Sequence, residues 1–294
     1  MAKVIVFGAG GQLGKALQKL LPHVSFYTRE DCDVTSVIEV AEIFTQNLDV
    51  EFVINASGYT KVDQAEVEPD QAYLVNTTAV EIIAQIAQEA YTHQAILIHI
   101  STDYVFDGTA TEPYKPDAPT NPTSVYGKSK LYGEIAVRDN SEHYIVRTSW
   151  LYGNGPNFVR TMFLLGTSRD EVRVVNDQFG LPTNALDLAE FCCYLMKYKP
   201  QFGTYHFCNG GDPISWAYLA ETIFSLMSIK CTVVPVSTEE YLLANPHIIA
   251  PRPQYSALDY SGSVIIDDKS NKKSFYVRGW YAALSDYLDK QAST

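Results

Sequence analysis

The sequence predicts an α/β protein built on a doubly wound parallel sheet, with a smaller C-terminal lobe. Three observations lead there. Short apolar runs alternate with longer stretches of helical periodicity through about the first 150 residues. The runs are nearly continuous in hydrophobic residues, as strands covered on both faces must be. A glycine-rich turn ends the first run and opens the first helix.

In chain order, strands are expected at Val4–Phe7, Val24–Tyr27, Phe52–Ala56, Ile96–Ser101 and Tyr144–Ser149. Helices are expected between them at Gln12–Leu20, Val34–Gln46, Gln71–Ala90 and Ser124–Val137. Beyond residue 150 the rhythm changes. Helices at Phe158–Gly166, Asn184–Lys197 and Trp216–Met227 are joined by longer irregular stretches, with one more short strand at Tyr205–Cys208. Residues 245–263 hold three prolines and little periodicity, so they read as a loop, and Trp280–Lys290 reads as the closing helix. The domain reading is 1–150 for the sheet domain and 151–294 mainly for the second lobe, with segments near 172–210 returning to the sheet.

Bulk properties narrow the function. The chain has 294 residues, enough for one large domain and an appendage. Its formal net charge is −12, without a basic run, which argues against a nucleic acid polymer as partner. Five cysteines, none in CxxC spacing, suggest a reducing compartment and no structural zinc. No segment approaches the ~20 apolar residues of a membrane span. No signal peptide is evident at the start of the chain, so a cytoplasmic location is expected.

The turn after the first strand reads Gly8-Ala9-Gly10-Gly11-Gln12-Leu13-Gly14. Strand, glycine turn and helix together form the setting of a Rossmann-like dinucleotide loop. Gly8 permits the turn, Gly11 lets a pyrophosphate approach the helix N-terminus, and Gly14 lets helix and sheet lie close. Near the end of the second strand stand Arg29, suited to a 2′-phosphate, and acidic groups including Asp33, suited to a ribose hydroxyl. Both NADPH and NADH therefore remain open as cofactor.

The chemistry is expected on Thr102, Tyr126 and Lys130. Tyr126 and Lys130 are four residues apart, hence on one helix face. A phenol beside a carbonyl oxygen can deliver the proton that a ketone needs on reduction, and a neighbouring ammonium favours the phenolate. Thr102 ends a central strand, where its hydroxyl can orient the same oxygen.

These motifs resemble the extended short-chain dehydrogenase/reductases, and more closely the dTDP-4-dehydrorhamnose reductase family. The resemblance spans nearly the whole chain. It rests on Gly8–Gly14, Asn55–Asp63, Val75-Asn76, Ser101–Phe106, Tyr126–Lys130, Arg147–Gly153, Asp177–Thr183 and Arg252-Pro253. It implies reduction of the C4 ketone of dTDP-4-dehydro-L-rhamnose by NADPH or NADH, with Thr102, Tyr126 and Lys130 as the triad. It also implies cofactor contacts at Gly8, Gly11, Gln12, Leu13, Gly14, Arg29, Asp33, Ala56, Ser57, Tyr59, Asn76, Tyr126 and Lys130. A nucleotide-sugar substrate would meet Thr102, Asp103, Tyr104, Trp150 and Arg252. No metal site is carried over, and a homodimer is left open.

The chain departs from the family at Ser57 and Gly58, where small apolar residues are usual, and over Asp259–Lys273. Related dehydratases have a glutamate where this chain has Tyr104, so elimination of water is disfavoured. Two alternatives stay open: a ketosugar reductase giving the talose epimer, and a non-catalytic subunit of the kind that regulates methionine adenosyltransferase.

Overall fold

The structure, a computed structural model, describes residues 3–89, 94–140, 142–261 and 275–292. The first half runs β1 (Lys3–Phe7), α1 (Gln12–Leu20), β2 (Ser25–Tyr27), α2 (Val37–Gln46), β3 (Val50–Asn55), α3 (Val62–Val67), α4 (Pro69–Tyr73), a π turn (Leu74–Thr78) and α5 (Ala79–Gln88). It continues through β4 (Ile96–Thr102), α6 (Val125–Arg138) and β5 (His143–Thr148). The second half runs β6 (Leu151–Tyr152), α7 (Phe158–Gly166), β7 (Glu171–Val175), β8 (Phe179–Gly180), β9 (Thr183–Asn184), α8 (Ala185–Tyr198) and β10 (Gly203–His206). It ends with β11 (Ile214–Ser215), α9 (Trp216–Leu226), β12 (Thr232–Val236), α10 (Thr238–Ala244) and α11 (Trp280–Ala292).

Six of these strands make one parallel sheet in the order β10-β5-β4-β3-β1-β2. The chain steps from β1 outward to β2, then crosses back to β3 on the other side. The strand order therefore reverses between β1 and β3, where the loops at the carboxyl ends diverge and leave a crevice.

Successive side chains of a strand point to opposite faces, and here both faces are covered. On one face Val4, Val6, Phe52, Ile54, Ile98 and Val146 pack with Leu13 and Leu17 of α1 and Leu188, Phe191 and Leu195 of α8. On the other, Ile5, Phe7, Val53, Leu97 and Ile145 pack with Val40 and Phe44 of α2 and Ile83 of α5. Each such side chain contributes roughly 1.5–3 kcal/mol by leaving water, which is why the strands read as unbroken apolar runs. A third core joins Val105 and Phe106, just past β4, to Tyr152, Met162, Val172, Leu219, Ile223 and Leu284.

The structure differs from the sequence reading at several boundaries. The second helix starts at Val37 rather than Val34, because Ser36 caps it by accepting the Glu39 N–H and Asp33 ties back the Thr35 N–H. The long helix expected over Gln71–Ala90 is divided by the π turn, and Ala90 lies outside the described residues. The return to the sheet is narrower than 172–210. Strand β7 pairs with β12 outside the main sheet, and only α8 and β10 come back to it. Of the 245–263 stretch the described part, 245–261, is irregular but pinned: Tyr114 bridges to Leu258 and Phe179 to Tyr255, and Ala257 and Leu258 are buried. Most of Asp259–Lys273 lies outside the described residues. Among the described residues no helix is long and apolar enough to cross a membrane.

Candidate active site

A cleft of about 470 Å³ opens at the β1/β3 crevice, walled by Gly8, Gly10 and Gly11 on one side and Ala56, Ser57, Gly58 and Tyr59 on the other. Gly8 has φ +84, and a Cβ there would lie 2.5 Å from the Ala56 backbone. Only glycine lets the two strand ends approach this closely. At Gly14 a Cβ would sit 2.4 Å from the Gly8 carbonyl oxygen, so α1 packs directly on the turn. No side chain caps α1, whose N-cap is Gly11, and no acidic residue lies in its first turn. Its leading N–H groups are thus available to an anion, as a pyrophosphate requires.

The far end of the cleft is lined by Thr28, Arg29, Cys32, Asp33, Val34 and Thr35. Asp31 turns back to accept hydrogen bonds from the Thr28 N–H and hydroxyl, 2.8 and 2.6 Å. Asp33 accepts from the Thr35 N–H and hydroxyl, and these bonds hold its carboxyl below the ordinary range. A cation and an anion therefore stand side by side at this end. The cleft's length, its donor-rich turn and this mixed-charge end fit a dinucleotide.

Three side chains converge beside the cleft. Ser124 caps α6 by accepting the Gly127 N–H, which sets the start of the helix and thereby Tyr126 and Lys130 one turn apart. Lys130 reaches across to donate to the Ile100 carbonyl at 2.6 Å, close to the end of β4, and its Nζ lies 4.0 Å from where a Cβ on Gly58 would stand. Thr102 is the last residue of β4, and its hydroxyl donates to Asp103 Oδ1 at 3.0 Å. All three are buried.

Burial pushes the Tyr126 phenol up to about 12, opposed by its polar contact with Thr102 and reinforced by the charge of Asp103. The expectation that Lys130 lowers this phenol is not met, because desolvation dominates and the ammonium is committed to a backbone carbonyl. Burial likewise pulls Lys130 down to about 8, while Glu134, one turn further along α6, holds it up. Asp103 is pushed up to about 6 by burial, against hydrogen bonds from Ser256 and Thr102.

Beneath this group lies a buried ion pair. Arg147 of β5 donates from Nε and Nη2 to both oxygens of Glu134, at 2.8 and 2.7 Å, and Ser101 donates to Glu134 at 2.6 Å. The pair clamps α6 to the ends of β4 and β5, next to Lys130 and Thr102.

Three of the expected cofactor residues have side chains engaged within the protein. Leu13 is buried in the core. Gln12 donates to the Leu151 carbonyl at 3.4 Å and accepts from Asn157 at 3.0 Å, so it joins α1 to the second lobe. Asn76 sits on the π turn. Its amide accepts the Tyr59 N–H and donates to the Tyr59 carbonyl and the Ser129 hydroxyl, so it holds the Tyr59 loop against α6 and its side chain is spent on the protein.

On the side away from the glycines, Tyr104 meets Tyr126 edge-on with ring centroids 5.4 Å apart. Arg252 donates from Nη1 and Nη2 to the two oxygens of Asp63, 2.9 and 2.5 Å, and the same carboxylate accepts the Ile249 and Ala250 N–H groups. Trp150 has φ +46, a left-handed backbone that costs a residue with a side chain ~1–2 kcal/mol. Its ring stacks on Trp216, centroids 3.4 Å apart and 8° from parallel. Sequence reading missed Asp63, Trp216 and Ser256. A single aspartate, tryptophan or serine carries no local signal, and only folding brings each to the site.

A parallel sheet with a glycine turn at its switch point, and a Tyr/Lys pair on the helix beside the next strand end, define the class of nicotinamide-dependent short-chain reductases. The chain belongs to the family described as RmlD substrate binding domain, which matches residues 2–292. It is 38% identical over 299 aligned residues to the spore coat polysaccharide biosynthesis protein SpsK of Bacillus subtilis, covering 100% of this chain and 99% of the relative. It is 40% identical over 234 residues to the dTDP-4-dehydrorhamnose reductase of Salmonella typhimurium, covering 75% of this chain and 77% of the relative. A crystal structure of dTDP-4-dehydrorhamnose reductase from Bacillus anthracis in complex with NADP superposes with a TM-score of 0.89 at 36% identity, over 99% of this chain and 100% of that one.

Proposed function

We propose that this protein reduces the C4 ketone of dTDP-4-dehydro-L-rhamnose to the alcohol of dTDP-L-rhamnose, for polysaccharide synthesis in the cytoplasm. The observation that carries the reading is that Thr102, Tyr126 and Lys130 lie together where β4 ends and α6 begins, with Lys130 reaching the Gly58 wall of the cleft. Family membership and the names of the relatives support the same substrate class.

In this reading the N–H groups after Gly11 take the pyrophosphate, and the walls at Ala56–Tyr59 and Arg29–Asp33 take the rest of the cofactor. A bound NADPH or NADH supplies the hydride. Tyr126 Oη supplies the proton that the C4 oxygen needs as negative charge develops on it. Its raised pKa keeps the phenol protonated, and so ready to donate, at neutral pH. Thr102 Oγ1 hydrogen-bonds the same oxygen and aims it at Tyr126. Lys130, fixed at the Ile100 carbonyl beside Gly58, holds the nicotinamide ribose of the cofactor. The lobe after residue 150 holds the sugar nucleotide, with Asp103, Tyr104 and Trp150 near the sugar and Arg252 facing the diphosphate. A homodimer is the assembly this reading carries.

The test follows the absorbance of NADPH and of NADH with dTDP-4-dehydro-L-rhamnose and identifies the product by NMR. Stoichiometric oxidation giving the rhamno configuration is expected. A talo product, or no oxidation with either cofactor, overturns the assignment.

A further inference from the structure

Trp150 is held in a left-handed backbone conformation that an indole-bearing residue adopts only when its surroundings force it. Three contacts do the forcing. The Thr183 N–H donates to the Trp150 carbonyl at 3.2 Å. The Trp216 ring covers one indole face, and Phe158 braces Trp216 from the side with centroids 4.5 Å apart. The indole edge fits over Gly180, where a Cβ would stand 2.6 Å from Trp150 Cε2, 2.7 Å from its Nε1 and 2.9 Å from Ser256 Oγ.

The seat is itself built firmly. Ile214 and Ser215 pair antiparallel with Gly180 and Phe179. Ser215 caps α9 by accepting the Tyr218 N–H and donates to Asn176 at 2.7 Å. Trp216, the first residue of that helix, is thereby fixed against Gly180's strand. The seat also touches the reaction centre. Ser256, at the Trp150 edge, neighbours Asp103, which accepts from Thr102. Trp150 and Trp216 are each only partly buried, so the stacked pair still presents surface.

We infer that Trp216 and Gly180 form a seat that orients the Trp150 indole toward the sugar, which makes Trp216 a positioning residue for substrate specificity. The inference rests on the proposed reduction, with the sugar bound beside Thr102. Trp216 touches neither hydride nor proton. It acts by fixing the ring, so its loss lets the φ-strained Trp150 relax and opens the sugar subsite. The residues around the glycine turn take no part.

The test compares Trp216→Ala, Trp216→Phe and Gly180→Ala with the wild type. KM for dTDP-4-dehydro-L-rhamnose, KM for NADPH, kcat and Tm are measured for each. Trp216→Ala should raise the sugar-nucleotide KM on the order of 10-fold while the NADPH KM stays within about twofold, because one lost pocket contact is worth about that much discrimination. Trp216→Phe should recover most of the loss by restoring a stacking face. Gly180→Ala, whose methyl pushes the indole at its Cε2–Nε1 edge, should reproduce the Trp216→Ala phenotype. A folded Trp216→Ala enzyme with an unchanged sugar-nucleotide KM overturns the inference. So does a parallel rise in both KM values, which marks general loosening. If Trp216→Ala does not fold, Gly180→Ala decides by the same criterion. A wild type that oxidises neither NADPH nor NADH with this ketosugar removes the proposed function, and the inference falls with it. A wild type that turns over normally beside insensitive variants removes the inference alone.

Discussion

Tyr126 and Lys130 were legible in the sequence because spacing alone puts them on one face of a helix. Their electrostatics were not. Burial raises the Tyr126 phenol to about 12, and Tyr126→Phe should bind NADPH normally yet lose on the order of 10²–10⁴ in kcat with the ketosugar. NADPH titration by fluorescence beside a turnover assay checks both halves. Lys130, lowered to about 8, loses its proton just above neutrality, so kcat/KM should fall as pH rises through about 8. Lys130→Met should be slow and lack that alkaline limb in a pH–rate profile. Asp103 carries the opposite kind of signature. Its pKa is about 6 in the fold against an ordinary 3.8, so between those values the native state holds more protons than the unfolded chain. Its contribution to stability is therefore lost as pH rises through that window. Asp103→Asn should be more stable than the wild type at pH 7, by up to about 3 kcal/mol, with the difference vanishing near pH 4. Urea titrations at the two pH values measure this directly.

At the scale of elements, strands and helices followed from periodicity, since burial on both faces leaves an unbroken apolar run and burial on one face leaves a stripe. What periodicity could not locate was the π turn at Leu74–Thr78, where the chain stays helical while Asn76 turns inward to tie the Tyr59 loop to Ser129 of α6. The Glu134–Arg147 pair was equally hidden. Each residue looks like an ordinary charge in its own segment, and the two meet only when α6 lies on β5. Both are buried, and the pair clamps α6 to the strand ends. Arg147→Met leaves the buried Glu134 carboxylate with Ser101 and the part-exposed Arg138 as its partners, and should cost up to about 3 kcal/mol in chemical denaturation. Glu134→Gln with Arg147→Met should recover part of that loss.

For the whole molecule, the sheet and the second lobe meet across the reaction centre. Polar bridges between them include Gln12 to Leu151 and Asn157, Ser149 to the Leu181 carbonyl, and Arg252 to Asp63. Burial pushes the Asp63 carboxyl up, yet hydrogen bonds from Arg252, Ala250 and Ile249 bring it below its ordinary value. The Arg252 guanidinium is thus already oriented by a carboxylate from α3. Arg252→Ala should raise KM for the nucleotide sugar more than tenfold while leaving NADPH binding intact, as steady-state kinetics with each substrate varied would reveal.

By itself the sequence determined the parallel sheet, the glycine turn and the Tyr126/Lys130 spacing, because each is written in periodicity or spacing along the chain. Tertiary structure alone decided that Asp63 meets Arg252, that Trp216 backs Trp150, and that desolvation outweighs Lys130 at the phenol. Those depend on which segments the folded chain brings within contact and how much water it excludes, and no local pattern of residues encodes either.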